Sequence, residues 1–208
     1  MSLFAPLPEI SLPKVENKAE ISALVRERVL PLLPGSATLI SVDGLDGSGK
    51  SSIGRAIAAL SGRRLIELDE FLDKQQDRFL EALRTDHLQR ELMSDEPTVI
   101  EGCLVKALLD RVGRQPDFRI YVVRTGQMHC DPEHEWCDEY ELLMGSKSAA
   151  DLIQEEETKL KAFCESGAFG LKSDNAEVSG LWKELVNYHR EFAPHQSAEL
   201  VVKVVRTL

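Results

Sequence analysis

Apolar and polar residues follow two different periods along this chain, and the periods take turns. Residues 17–30, "NKAEISALVRERVL", place Ile21, Leu24, Val25, Val29 and Leu30 on one side of a helix. Pro31, Pro34 and Gly35 then stop it. "ATLISVDG" (37–44) is a short apolar run and predicts a buried strand. "GKSSIGRAIAALSG" (49–62) predicts a helix closed by a glycine. "RRLIELDEF" (63–71) holds a second strand that ends in acids, and residues 72–93 read as helical. "PTVIEG" (97–102) is a third strand, "CLVKALLDRV" (103–112) a helix and "DFRIYVVRT" (117–125) a fourth strand. Residues 138–164 and 177–191 are helical and rich in charge, and "ELVVKVV" (199–205) is a fifth strand. Residues 1–15, with Pro6, Pro8 and Pro13, read as an extended surface run.

Strands alternating with helices predict an α/β fold, three layers deep, with a mostly parallel five-stranded sheet covered on both faces. No internal repeat or domain break interrupts the pattern. It fits one domain over residues 1–208, with an N-terminal extension and helix at 1–36 and a lid or insert at 126–186. Ligands of such sheets bind beyond the carboxyl ends of the strands. Gly44, Asp69, Glu101 and Arg124 stand at those predicted ends.

The strand-to-helix join "GLDGSGKS" (44–51) follows the pattern G-x-x-x-x-G-K-[ST] with a strand before it and a helix after it. Such a join is built for phosphate. Backbone N–H groups from Asp46 through Gly47, Ser48, Gly49, Lys50 and Ser51 to Ser52 can form an anion nest. Glycine permits the unusual angles there, and the new helix adds its positive end. Lys50 can reach the β- and γ-phosphates, and the Ser51 hydroxyl can ligate Mg²⁺. Asp69 stands where a carboxylate could take the proton of an acceptor hydroxyl; it equally suits a helix cap. Glu101, followed by Gly102, suits the water shell of Mg²⁺.

Taken together, these pieces resemble the uridine kinase-like group of P-loop kinases, which includes uridine, phosphoribulose, pantothenate and nicotinamide riboside kinases. "SVDGLDGSGKSS" matches its phosphate loop. "LDEF" stands where the group has an Asp-Asp-Phe-like motif, and "TVIEG" where it has a strand ending Glu-Gly. "NYHREFAPHQSAELVV" (187–202) is similar to its closing helix, proline and last strand. The resemblance implies a P-loop NTPase fold and transfer of the ATP γ-phosphate, with Mg²⁺, to a hydroxyl of a small metabolite such as a nucleoside, sugar or vitamin. It implies Asp69 as base, Lys50 and Ser51 on phosphate and metal, and Glu101 near the metal. The chain departs from the group after the fourth strand, where an arginine-rich lid is usual. In residues 124–148 Arg124 is the one arginine, and 131–141 carry six acids. Arg124, Lys147 and Arg190 are candidate replacements, with Asp69, Arg124 and Arg190 the candidate acceptor contacts.

Composition narrows the classes. The 208 residues are 43% hydrophobic, enough for a full core. A net charge of -10 argues against nucleic acid, whose binders carry a basic face. No apolar run reaches membrane-spanning length and no signal peptide is legible, so a cytoplasmic protein is expected. Four cysteines are too sparse for a disulfide scaffold. His129, Cys130, His134 and Cys137 match no common zinc spacing and read as loop. Trp136 and Tyr140 read as packing, the glutamates at 155–157 as a solvated face, and Cys103 as a small buried residue. A regulatory GTPase would need an N/T-K-x-D motif after the fourth strand, and the chain has "VVRT" there. The LSGGQ-like signature of a transporter ATPase is missing too. An ATP-binding protein or ATPase with a regulatory role is the remaining alternative to a kinase.

Overall fold

The computed structural model describes residues 8–13, 17–73, 78–125, 143, 145–165 and 178–205. Six strands form one sheet: β1 (Glu9–Leu12), β2 (Leu39–Gly44), β3 (Arg64–Glu67), β4 (Thr98–Gly102), β5 (Phe118–Thr125) and β6 (Leu200–Val205). Their spatial order is β1-β6-β5-β2-β4-β3, and every pairing is parallel. From β2 the chain goes outward to β3 and returns to β4. It then crosses β2 to reach β5 on the other side. That reversal makes the carboxyl end of β2 a switch point, the place where such sheets open a crevice.

The helices are α1 (Lys18–Leu24), α2 (Lys50–Ser61), α3 (Phe79–Ala82), α4 (Thr85–Leu92), α5 (Val105–Arg111), α6 (Ala149–Glu165) and α7 (Gly180–Phe192). Helix α1 runs on as a π-turn over Val25–Val29, and α1 with α2 covers one face of the sheet. Val25, Val29, Ile53 and Ile57 pack there on Ile40, Val42, Ile120 and Val202. Helices α4, α5, α6 and α7 cover the other face, with Leu88, Leu108, Leu152 and Val186 packed around Leu39, Ile66 and Ile100. Successive residues of a strand point to opposite faces. Leu39 therefore joins one core and Ile40 the other, which explains why β2 reads as an unbroken apolar run.

The three-layer architecture is as expected, with three corrections. The sheet has six strands, not five, because residues 9–12 do not run over the surface. They pair with β6, Ile10 beside Val202 and Leu12 beside Val204, and Leu12 is 1% exposed. Prolines flank the segment instead of interrupting it, so an edge strand is open to it. Residues 72–93 are not one helix. Leu72 bridges Leu83 in antiparallel fashion, and the Asp73 N–H donates to the Ala82 carbonyl at 2.7 Å. Among the described residues of this stretch only α3 and α4 are helical. Residues 145–148, expected to be helical, precede α6 as irregular chain. Among the described residues no helix is long and apolar enough to cross a membrane.

Leu12→Ala tests the added strand. A side chain buried in the core should cost about 2–5 kcal/mol on truncation. A residue on a surface run would change stability by less than about 0.5 kcal/mol. Urea denaturation of the two proteins separates these outcomes.

Candidate active site

The phosphate loop leaves β2 at Gly44 and enters α2 at Lys50. A Cβ on Gly44 would stand 2.5 Å from the Val122 carbonyl oxygen and 2.8 Å from Ser48 Oγ, so only glycine fits against β5. Gly49 precedes the helix at φ 97°, in the left-handed region that side chains avoid. Within the loop the Ser48 N–H donates to the Leu45 carbonyl at 3.2 Å and the Gly47 N–H to Asp46 Oδ1 at 2.9 Å. Asp46 is exposed, Ser48 is buried, and Ser52 is half-buried in the first turn of α2. Lys50 is 7% exposed, and its ammonium donates to the Leu45 carbonyl at 3.4 Å. Burial opposes that charge, but Cys103 and the carboxylates of Asp46 and Glu101 outweigh it and hold the ammonium above its ordinary value.

Helix α2 and strand β4 bring the next pair together. Ser51 Oγ donates to Glu101 Oε2 at 3.0 Å. Glu101 is 3% exposed, and burial raises its carboxyl against the pull of Ser51 and Lys50. The charges of Glu67 and Asp69 raise it further. Two hard oxygen ligands side by side, one of them a carboxylate, are a donor set that suits Mg²⁺, which takes few protein ligands and keeps its waters.

The other expected residues are less uniform. Strand β3 ends at Glu67, and Asp69 sits beyond it in a 3-10 turn, Leu68–Phe71. Its side chain is exposed and caps no helix among the described residues. Gly102 permits a close approach: a Cβ there would stand 2.8 Å from the Leu68 side chain, which seats the Asp69 turn on β4. Arg124, half-buried at the end of β5, reaches the loop, with Nη1 3.4 Å from where a Cβ on Gly47 would be. Arg190 lies in the last turn of α7, where its charge acts on His189 and His195. Lys147 pairs with Glu155 at 2.9 Å. His129, Cys130, His134, Trp136, Cys137 and Tyr140 lie outside the described residues.

Sequence reasoning missed a buried polar cluster under the loop. Asp43, the last residue before Gly44, accepts the Gly44 N–H at 2.8 Å, and the Tyr188 hydroxyl of α7 donates to its other oxygen. The Lys106 N–H, in the first turn of α5, donates to the Tyr188 oxygen at 3.3 Å. Tyr188 thus joins the end of β2 to the first turn of α5. Between β4 and α5, the buried Leu104 takes φ 62°, a strained value for a non-glycine residue. Beside this cluster His189 Nδ1 is 2.7 Å from the Leu185 carbonyl. A carbonyl only accepts, so Nδ1 carries the proton and Nε2 accepts from Tyr121 Oη at 2.8 Å. Burial pushes His189 down to about 4, so the ring is neutral near pH 7. Burial also pushes the Asp43 carboxyl up to about 6, against the pull of Tyr188, the Gly44 N–H and Lys50. One signal was available: an acid inside an otherwise apolar strand, next to the loop.

No protein-family model matches the chain, and no curated protein shows significant similarity to it. Among solved structures it is similar to a possible uridine kinase from Bacillus stearothermophilus: 13% identity, 88% of this chain and 98% of that one covered, TM-score 0.44. A gluconokinase from Sinorhizobium meliloti 1021 follows at 18% identity, 81% and 83% coverage and TM-score 0.37. The shikimate kinase of Bacteroides thetaiotaomicron stands at 14%, 80% and 85%, and 0.35. Likenesses this loose bear no weight on activity. The strand–phosphate-loop–helix unit at the centre of an all-parallel sheet is what places the chain among P-loop folds.

The buried cluster makes two measurable differences. Tyr188→Phe leaves Asp43 without its hydroxyl donor and should cost about 1–3 kcal/mol in urea denaturation. Asp43 holds its proton to higher pH when folded than when unfolded, so its contribution to stability is lost as pH rises from its ordinary value near 3.8 to about 6. Asp43→Asn has no such loss. Its stability relative to the parent should therefore climb across that window; a flat difference would show that Asp43 ionises normally.

Proposed function

We propose that the chain is a phosphotransferase that moves the γ-phosphate of ATP, with Mg²⁺, to a hydroxyl of a small metabolite. The observation that carries this reading is the pairing of Ser51 with Glu101 beside the buried Lys50, with the exposed Asp69 in the turn just beyond β3. A protein that only binds nucleotide has use for the first two elements. An exposed carboxylate beyond them, with no hydrogen-bond or ion-pair partner among the described residues, has a use when an acceptor proton must be removed.

The roles follow from position. The loop N–H groups and Lys50 hold the phosphates and stabilise charge that builds on them. Ser51 and Glu101 hold Mg²⁺, which neutralises phosphate charge when bound. Arg124, over Gly47, adds a cation beside the loop. Asp69 orients the acceptor hydroxyl and takes its proton. The acceptor oxygen bonds to the γ-phosphorus, the bond to the bridging oxygen breaks, and ADP departs with that electron pair. Localisation in the cytoplasm and partners limited to ATP and the acceptor, with neither nucleic acid nor membrane, accord with this chemistry.

Mg-ATP at about 100 times its dissociation constant should stabilise the fold by about 2.7 kcal/mol, visible as a melting shift of roughly 5–10 °C. Lys50→Ala should remove that shift; its persistence would mean the nucleotide sits elsewhere. Asp69→Asn should keep the shift and lose about 10²- to 10⁴-fold in kcat once an acceptor has been found by an ADP-release screen. Undiminished turnover would remove Asp69 as the base, whereas no turnover of any acceptor would leave a nucleotide-binding regulator or ATPase as the better description. Glu101→Gln should raise the Mg²⁺ concentration needed for half-maximal rate.

A further inference from the structure

Helix α2 makes two polar contacts with the sheet, one turn apart. Ser51 Oγ donates to Glu101 Oε2 at 3.0 Å. One turn on, Arg55 grips Glu67 with a fork: Nε donates to Oε1, and Nη2 donates to Oε2 at 3.0 Å. Residues at this spacing share a helix face. Gly54 lets that face come close, since a Cβ there would stand 3.0 Å from Glu101 Cβ. Glu67 and Glu101 are themselves register partners on β3 and β4. Neighbouring strands lie about 4.8 Å apart, and partners in register point to the same face. Two glutamates therefore stand side by side at the carboxyl edge of the sheet, one on Ser51 and the other on Arg55.

The two carboxylates are held differently. Glu101 is bonded to a hydroxyl, which is itself a ligand for a hard cation. Glu67 has both oxygens engaged by one guanidinium, the geometry that holds a carboxylate most firmly. The fork also sets a positive charge against the second glutamate, and the charges of Arg55, Glu67 and Glu101 act on one another. Divalent cations respond differently to a second free carboxylate. Mg²⁺ demands a tight octahedron and keeps its waters, whereas Ca²⁺ takes more oxygens at longer range in a flexible shell and gains more from it.

Resting on the reading of Ser51 and Glu101 as the metal ligands, we infer that Arg55 determines which cation the site accepts: by occupying both oxygens of Glu67 it keeps the site at one carboxylate and selects Mg²⁺ over Ca²⁺. Arg55 acts through Glu67 and is a positioning residue.

The test follows the binding of a non-hydrolysable ATP analogue to the full chain, by titration calorimetry with excess Mg²⁺ or excess Ca²⁺. The parent should bind the Mg²⁺ complex more tightly. Arg55→Met keeps the aliphatic stem and removes the fork. Arg55 is exposed, and exposed ion pairs contribute little to stability, so the fold should persist. The ratio of the two dissociation constants should move about 10- to 100-fold toward Ca²⁺, the range for a changed partner behind a metal ligand. Glu67→Gln releases no carboxylate and should leave the ratio at the parent value. Combining Arg55→Met with Glu67→Gln should return it there. A pair that matters only for packing cannot give this pattern, because all three variants lose the same fork. An unchanged ratio in Arg55→Met, a ratio that moves alike in all three, or a parent with no preference for Mg²⁺ overturns the inference. Glu101→Gln separates it from the reading beneath it, and should weaken analogue binding with either ion. If it does so while Arg55→Met leaves the ratio alone, only the role of Arg55 falls. If Glu101→Gln changes nothing, the metal is held elsewhere and both fall.

Discussion

The tie between Asp43, Gly44 and Tyr188 is the constraint on which the site depends. Asp43 is the last side chain of the central strand before the phosphate loop, and it is buried. A carboxyl group in that position is expensive unless its oxygens are bonded. The Gly44 N–H and the Tyr188 hydroxyl supply those bonds, and Tyr188 in turn receives the Lys106 N–H. A helix near the end of the chain is thereby fixed to the end of β2 and to the first turn of α5. Lys106 strengthens the same joint through its ammonium, which donates to the Phe192 carbonyl at 3.2 Å and to Ser197 Oγ at 3.3 Å.

Above that joint, the balance of charge explains how an acidic protein keeps a buried lysine at the loop. Lys50 is buried yet keeps its proton, because Asp46 and Glu101 face it. Its ammonium rests on the Leu45 carbonyl. Beyond β3, Arg84 does for the Asp69 turn what these groups do for the loop. Its bonds to the Glu70 and Phe71 carbonyls hold that turn, while Leu68 seats it against Gly102. Local positive charge and fixed geometry matter here more than net charge, since interactions between distant exposed charges are screened by salt.

What the sequence by itself determined is what short stretches of chain decide. The β2–loop–α2 unit is legible because glycines, lysine and serine at set spacings act within a few residues of each other, between a buried apolar run and an amphipathic helix. The alternation of strands and helices is legible for the same reason, as is the carboxyl-edge placement of Gly44, Glu101 and Arg124. Tertiary structure alone decided the rest. Residues 9–12 become a strand only because β6, at the other end of the chain, offers them an edge. Residues 72–93 break because Leu72 meets Leu83. Ser51 finds Glu101 fifty residues away, and Asp43 finds Tyr188 at a separation of 145. No local pattern encodes such partners. They depend on the order in which the strands lie side by side, and that order is set by which faces of the whole sheet can be buried together.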